Sequence, residues 1–167
     1  MLLEFKTENF KSFLDEMDFL MTPAPKQKDL EYSILEHKIG KKTYKGLCSA
    51  IIYGSNASGK TNIICAMDVF KEIILKGNIR NSDEMRLPNI SERKLELIPN
   101  NLNKLPKPTK FYIRFVEQDL LVEYELIIDL GLFLDKSYQR KIKFEKLTIN
   151  NKTIFERTEN IDFFDLK

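Results

Sequence analysis

Gly54-Ser55-Asn56-Ala57-Ser58-Gly59-Lys60-Thr61 fits the pattern G-x-x-x-x-G-K-[ST], which constrains the fold of this 167-residue chain more tightly than any other stretch. Such a loop must wrap backbone N–H groups around an anion, so it needs residues that tolerate unusual dihedrals. Gly54 and Gly59 are expected to supply that tolerance, and Asn56 is a further position suited to a positive φ. A strand should deliver the chain into the loop, and a helix should carry it away. Leu47 to Tyr53 (LCSAIIY) is short, apolar and rich in β-branched and aromatic residues, which predicts a buried strand. Beyond the loop, Ile63, Met67, Phe70 and Ile74 recur at helical spacing, with Asn62, Asp68, Lys71 and Glu72 largely opposite. Lys76-Gly77 is the expected helix end.

This order of strand, loop and helix points to phosphate binding. A helix starting near Gly59 or Lys60 aims its unpaired N–H groups, and roughly half a positive charge, at a bound anion. The backbone of Ser55, Asn56, Ala57 and Ser58 would line the cradle, Lys60 would reach the outer phosphates, and the Thr61 hydroxyl would ligate magnesium. Holding a triphosphate is not hydrolysing it. Hydrolysis also needs a carboxylate near the metal and a group that orients water.

Composition excludes several other classes. Hydrophobic residues make up 43% and charged residues 31%, the balance of a folded soluble domain. The 27 basic residues nearly cancel the 25 acidic ones, leaving +2, so bulk charge gives no indication of a nucleic-acid partner. Lys136, Arg140, Lys141, Lys143 and Lys146, interleaved with Tyr138 and Phe144, are expected to form a solvated sheet face rather than a nucleic-acid surface. No apolar run approaches the length of a membrane helix, and Glu4, Lys6 and Glu8 interrupt the N-terminus, so a cytoplasmic protein is expected. Cys48, in the predicted strand, and Cys65, on the predicted helix, are expected to be small core residues. His37 stands alone in a polar region, which predicts a surface histidine.

The rest of the chain alternates. Leu3 to Thr7 reads as one strand and Phe13 to Met21 as a second that pairs with it around a turn at Glu8-Asn9, giving a strand hairpin over 1–21. Thr22 to Asp29 reads as a loop and Leu30 to Ile39 as a short strand before a turn at Lys41-Lys42. The P-loop strand, loop and helix occupy 47–76. A long irregular segment follows over 78–110, with a helical turn near Glu92 to Leu97. An antiparallel strand block covers 111–157, with hairpins turning at Glu117-Gln118-Asp119 and at Asn150-Asn151.

Asn9-Phe10-Lys11-Ser12-Phe13, followed by a phosphate loop with Asn56 at its third position, resembles the N-terminal half of the SMC, RecF and OLD-like branch of ABC-class P-loop ATPases. Within that branch the chain looks most like the AAA-type ATP-binding proteins of bacterial defence loci. The resemblance implies an α/β fold: a P-loop NTPase, ABC-ATPase-like half head with a parallel core strand and an adjoining antiparallel β-sheet. It implies ATP and Mg2+ as cofactors, and it carries a basic residue of the first turn to the nucleotide, here Lys11 with Ser12 beside it. An ordinary exposed lysine in a hairpin turn stays open as the other reading of Lys11. Ala57 stands where many members have glycine, a change expected to alter loop flexibility rather than phosphate contact.

Members of that branch also carry a signature loop, a Walker B Asp-Glu pair and a switch histidine, and the chain displays none of these. Leu126-Ile127-Ile128-Asp129 copies the apolar-run-then-Asp form, but Leu130 follows and the run reads as a hairpin strand. Asp162 and Asp165 offer no better metal ligand. The chain therefore reads as a single, incomplete N-terminal ATPase lobe over 1–167. Expected partners are a complementary C-terminal ATPase half or a homodimer, with a nuclease effector and DNA beyond them, and no membrane. A non-catalytic interaction or regulatory fragment with a vestigial loop remains the alternative. A small nucleotide kinase or GTPase is disfavoured because a guanine-reading N-K-x-D is absent and the later strands read as antiparallel hairpins.

Overall fold

The computed structural model describes residues 1–25, 29–80, 96–135 and 137–164. Its main element is a sheet of seven strands: β1 (Leu2–Glu8), β2 (Met17–Leu20), β5 (Thr109–Glu117), β6 (Leu120–Asp129), β7 (Lys141–Ile149), β8 (Lys152–Arg157) and β9 (Ile161–Phe163). They lie in the order β2-β1-β5-β6-β7-β8-β9. Each neighbour pair is antiparallel. A second sheet is the hairpin of β3 (Ile34–Ile39) and β4 (Lys42–Leu47). One helix, α1 (Lys60–Lys76), packs against the large sheet.

Alternation dictates the two faces of that sheet. In β1, Leu3, Phe5 and Thr7 are buried, while Glu4, Lys6 and Glu8 point the other way. The same period continues in β5 and β6, where Phe111 and Leu126 face the core and Tyr112 and Glu125 lie opposite. Phe70 of α1 is the centre of the packed layer. Its ring lies 6.0 Å from Phe5, 5.5 Å from Phe111 and 5.8 Å from Tyr124. The outer face is a ladder of charges instead. Lys6 stands 3.1 Å from Glu4 on its own strand and 3.7 Å from Asp18 across the strands, and Lys146 stands 3.1 Å from its cross-strand neighbour Glu156, pairs that suit a solvated face.

Turn residues fix the hairpin registers. Gln118 and Asp119 have φ of 46° and 64°, and Asn150 and Asn151 have 49° and 65°, the paired left-handed geometry that closes two-residue hairpins. Asn150 also accepts a bond from the Leu121 amide at 2.8 Å, so that turn locks onto β6.

Several expectations need correction. Leu47 ends β4, and residues 48–53 form no strand, so the expected parallel core strand is not formed among the described residues. Ile51 and Tyr53 are 86% and 88% exposed, and Cys48 is exposed rather than in the core. An apolar run becomes a strand only when a neighbour completes its hydrogen-bond ladder, and among the described residues none does so for 48–53. The segment 42–47, read as a turn and the start of a strand, is instead all of β4, reversed at Gly40 with φ 60°. The buried stripe of α1 is Ala66, Val69, Phe70 and Ile73, while Ile74 is half exposed, so the helix is rotated by about a residue from the predicted face. Strand β9 was not predicted. Most of the helical turn expected near Glu92 to Leu97 lies outside the described residues, although Leu97 itself is fully buried.

Candidate functional site

The site is built where the loop over 54–59 meets the N-terminus of α1. Gly59 is the residue before the helix and has φ 87°, the left-handed region open to glycine. Because α1 begins at Lys60, the N–H groups of its first turn have no acceptor four residues back. Gly77 closes the far end with φ 62°, its N–H bonded to the Ile73 carbonyl at 2.8 Å, as the Lys76-Gly77 ending predicts.

Gly54 does not use the dihedral freedom predicted for it. It is absent from the positive-φ positions, but a Cβ there would meet Ser58 Oγ at 3.1 Å. Close approach to Ser58, not dihedral freedom, is what an added side chain there would disturb. The positive φ inside the loop falls on Ala57, at 61°, rather than on Asn56. An L side chain pays about 1–2 kcal/mol there, so the alanine adds strain to the loop.

Lys60 turns back into this loop. Its ammonium donates to the Gly54 carbonyl at 2.8 Å, to the Ser55 carbonyl at 2.6 Å and more weakly to Ser58 Oγ at 3.4 Å, using its three protons on the loop's own oxygens. Thr61 is exposed at the second position of the helix. The donor set, helix N-terminal amides with the Lys60 ammonium on the loop and the Thr61 hydroxyl beside it, is of the kind that suits a magnesium triphosphate.

The structure separates Lys11 from Ser12. Ser12 reaches the loop, since its hydroxyl accepts a bond from Asn62 Nδ2 at 2.7 Å and would meet a Cβ on Gly59 at 2.7 Å. Lys11 points elsewhere, to Glu96 Oε2 at 2.7 Å and along Cys65 of α1. Burial works against its charge, but Glu96 and Cys65 outweigh it and hold its pKa above the usual lysine value.

Sequence reading missed what holds this turn in place. Asn9 is fully buried with φ 54°. Its Nδ2 donates to the Lys107 carbonyl at 2.5 Å, while its Oδ1 accepts from the Asn100 amide at 2.9 Å and from Asn103 Nδ2 at 2.6 Å. Thr109 Oγ1 donates to the Asn9 carbonyl at 2.7 Å, and Asn100 Nδ2 donates to the Lys11 carbonyl at 2.8 Å. Asn100, Asn101 and Asn103, close together in the sequence, were the available signal.

The remaining candidates have structural uses. Asp129 accepts from Tyr138 Oη at 2.8 Å and from the Gly131 amide at 3.2 Å, with Lys143 at 3.6 Å, so it caps the end of β6. Hydrogen bonding to that carboxylate raises the Tyr138 pKa. Asp162 pairs with Glu156 across β8 and β9, and Asp165 and Lys136 lie outside the described residues. His37 sits 2.7 Å from Asp119 on the surface. Among the described residues no group of three or more His, Cys, Asp or Glu side chains is placed to hold a metal, and no helix is long and apolar enough to cross a membrane.

A loop bounded by Gly54 and Gly59 at the N-terminus of α1 is an arrangement in which backbone amides can face an anion. The chain belongs to the family described as "AAA domain, putative AbiEii toxin, Type IV TA system", whose model matches residues 49–163. That match begins just ahead of the loop, and it gives the chain a nucleotide-binding, ATPase-like function with ATP and, typically, Mg2+ as ligands. No curated protein and no solved structure matches the chain.

Proposed function

We propose that the chain binds magnesium ATP at Gly54–Thr61 as the N-terminal lobe of an ATPase of the SMC, RecF and OLD-like branch, and that hydrolysis requires a complementary C-terminal half or a second copy. The observation that carries this reading is the Lys60 ammonium at the loop mouth, 2.8 and 2.6 Å from the Gly54 and Ser55 carbonyls. Outer phosphate oxygens would replace those carbonyls as its acceptors, exchanging neutral for charge-assisted bonds. The amides of residues 55–61 would hold the inner phosphates, and Thr61 Oγ1 would take one magnesium position. Magnesium supplies neutralisation of charge between the outer phosphates. Ser12 contributes from the neighbouring turn, and Lys11 joins it only by leaving Glu96.

The same structure supports a partner. Asp129 is committed to Tyr138 and Gly131, so the carboxylate that orients water comes from elsewhere. Ile51 and Tyr53 stand exposed on the stretch that enters the loop, with strand-forming composition and no ladder neighbour. A complementary half or a second copy would supply that neighbour, and closure around nucleotide would be passed to an effector, a nuclease acting on DNA in the form the resemblance implies.

Titration with a fluorescent ATP analogue, with and without magnesium, tests the site. Magnesium-dependent binding should be lost in Lys60→Ala, and equal binding by parent and variant refutes the reading. Turnover by the isolated chain that Lys60→Ala abolishes would refute the need for a partner.

A further inference from the structure

Asn62 has no role in the cradle described above, yet its side chain hydrogen-bonds the Asn9–Phe13 turn. It occupies the third position of the helix, its own amide bonded to the Gly59 carbonyl at 2.9 Å, and its Nδ2 donates to Ser12 Oγ at 2.7 Å. A serine hydroxyl carries one proton and two lone pairs. With Asn62 donating into a lone pair, the Ser12 proton is left over, and no acceptor for it is found among the described residues. The hydroxyl lies against Gly59, where a Cβ would come within 2.7 Å of it. The glycine is therefore required twice, for its φ of 87° and for the approach of Ser12.

The backbone of the turn is held independently. Lys11 N–H donates to the Ile98 carbonyl at 3.0 Å, and Asn100 Nδ2 donates to the Lys11 carbonyl at 2.8 Å. What remains for Asn62 to set is the direction of one hydroxyl beside the residue that closes the phosphate loop.

We infer that Asn62 is a positioning residue that turns the Ser12 hydroxyl proton toward the phosphate oxygens of the bound nucleotide, making Ser12 a phosphate donor from outside the loop. This rests on the P-loop reading of Gly54–Thr61. The ligand class is a phosphate chain, so inorganic pyrophosphate should report the contact as well as ATP does. A hydrogen bond to a charged acceptor is worth about tenfold or more in affinity.

A double-mutant cycle on magnesium ATP and magnesium pyrophosphate affinity tests this in the full chain, with the thermal unfolding midpoint followed in parallel. Ser12→Ala should weaken both ligands about tenfold. Asn62→Ala should weaken them by about threefold to tenfold, and the double variant should bind no more weakly than Ser12→Ala alone, because Asn62 acts through Ser12. Asn62→Asp should bind at least as weakly as Ser12→Ala, since a carboxylate accepts the proton that the phosphate needs. Asn62→Leu with Ser12→Ala carries the same cycle should Asn62→Ala fail to fold. Additive losses overturn the inference, as does a lowered midpoint with unchanged affinity. Should Lys60→Ala bind as the parent does, the phosphate loop reading itself fails, and that outcome is separate from an Asn62 variant that leaves a Lys60-dependent site intact.

Discussion

Replacing Asn9 by alanine should cost this protein several kcal/mol, although the residue touches no expected ligand. Its side chain is fully buried and closes three hydrogen bonds, at 2.5 Å to the Lys107 carbonyl, 2.9 Å from the Asn100 amide and 2.6 Å from Asn103 Nδ2. Alanine would strand the Asn100 amide and the Lys107 carbonyl, each at roughly 1–3 kcal/mol once water is excluded. A φ of 54° adds a further contribution of up to about 1 kcal/mol, because asparagine tolerates the left-handed region better than alanine. The sum centres near 4 kcal/mol, at the upper end of single-residue effects. For a domain of this size it corresponds to a fall in Tm of roughly 8–16 °C. Two controls bracket the reasoning. Asn103→Ala removes one bond and should cost about 1 kcal/mol. Asn9→Asp keeps both acceptor roles but sets a carboxylate oxygen against the Lys107 carbonyl, and should be as damaging as alanine. Urea denaturation followed by circular dichroism measures all three. A loss below about 1 kcal/mol for Asn9→Ala, or one no larger than that for Asn103→Ala, would refute the idea that this asparagine pins the turn.

Three further expectations concern the core, the sheet rim and the loop. Phe70→Ala removes the ring that stacks 5.5 Å from Phe111 and should destabilise by about 3–5 kcal/mol, read as a shift in the urea midpoint with unchanged slope. Glu8 is held by Lys107 at 2.6 Å and Lys110 at 2.7 Å, and these bonds lower its pKa from the ordinary 4.5. Its folded-state pKa is therefore below its unfolded one, so its stabilisation is complete above about 4.5 and is lost as pH falls through the folded value. Stability measured from pH 6 down to pH 3 should drop less steeply in Glu8→Gln, and an identical slope would contradict the ion-pair account. Ala57→Gly relieves the positive φ of the loop and should raise stability by up to about 1 kcal/mol, net of the extra freedom glycine gains when unfolded; a loss of stability would mean the 61° angle is not strained.

Local sequence carried much of the fold. Paired turn residues at Gln118-Asp119 and Asn150-Asn151, set between alternating strands, marked both hairpins of β5–β6 and β7–β8, and Gly77 marked the end of α1. The loop at the head of α1 was readable for the same reason: its glycines, lysine and threonine lie within eight consecutive residues, so spacing alone places them together. Reading failed wherever the deciding contact was distant. Leu47–Tyr53 has strand composition, but a strand needs a partner, and whether one is present is not written in the run itself. Asn100 and Asn103 lie in the segment read as irregular over 78–110, and only the fold brings them against Asn9, more than ninety residues away in sequence.

The sequence by itself therefore determined a glycine-bounded loop at the head of a helix and a series of antiparallel hairpins, because each depends on dihedral preferences and periodicities of neighbouring residues. Only the tertiary structure decided that Ser12 rather than Lys11 lies at Gly59, that Lys11 is held by Glu96, and that β1 sits between β2 and β5. Those outcomes come from packing and from the pairing of buried polar groups across long separations, which no local preference encodes.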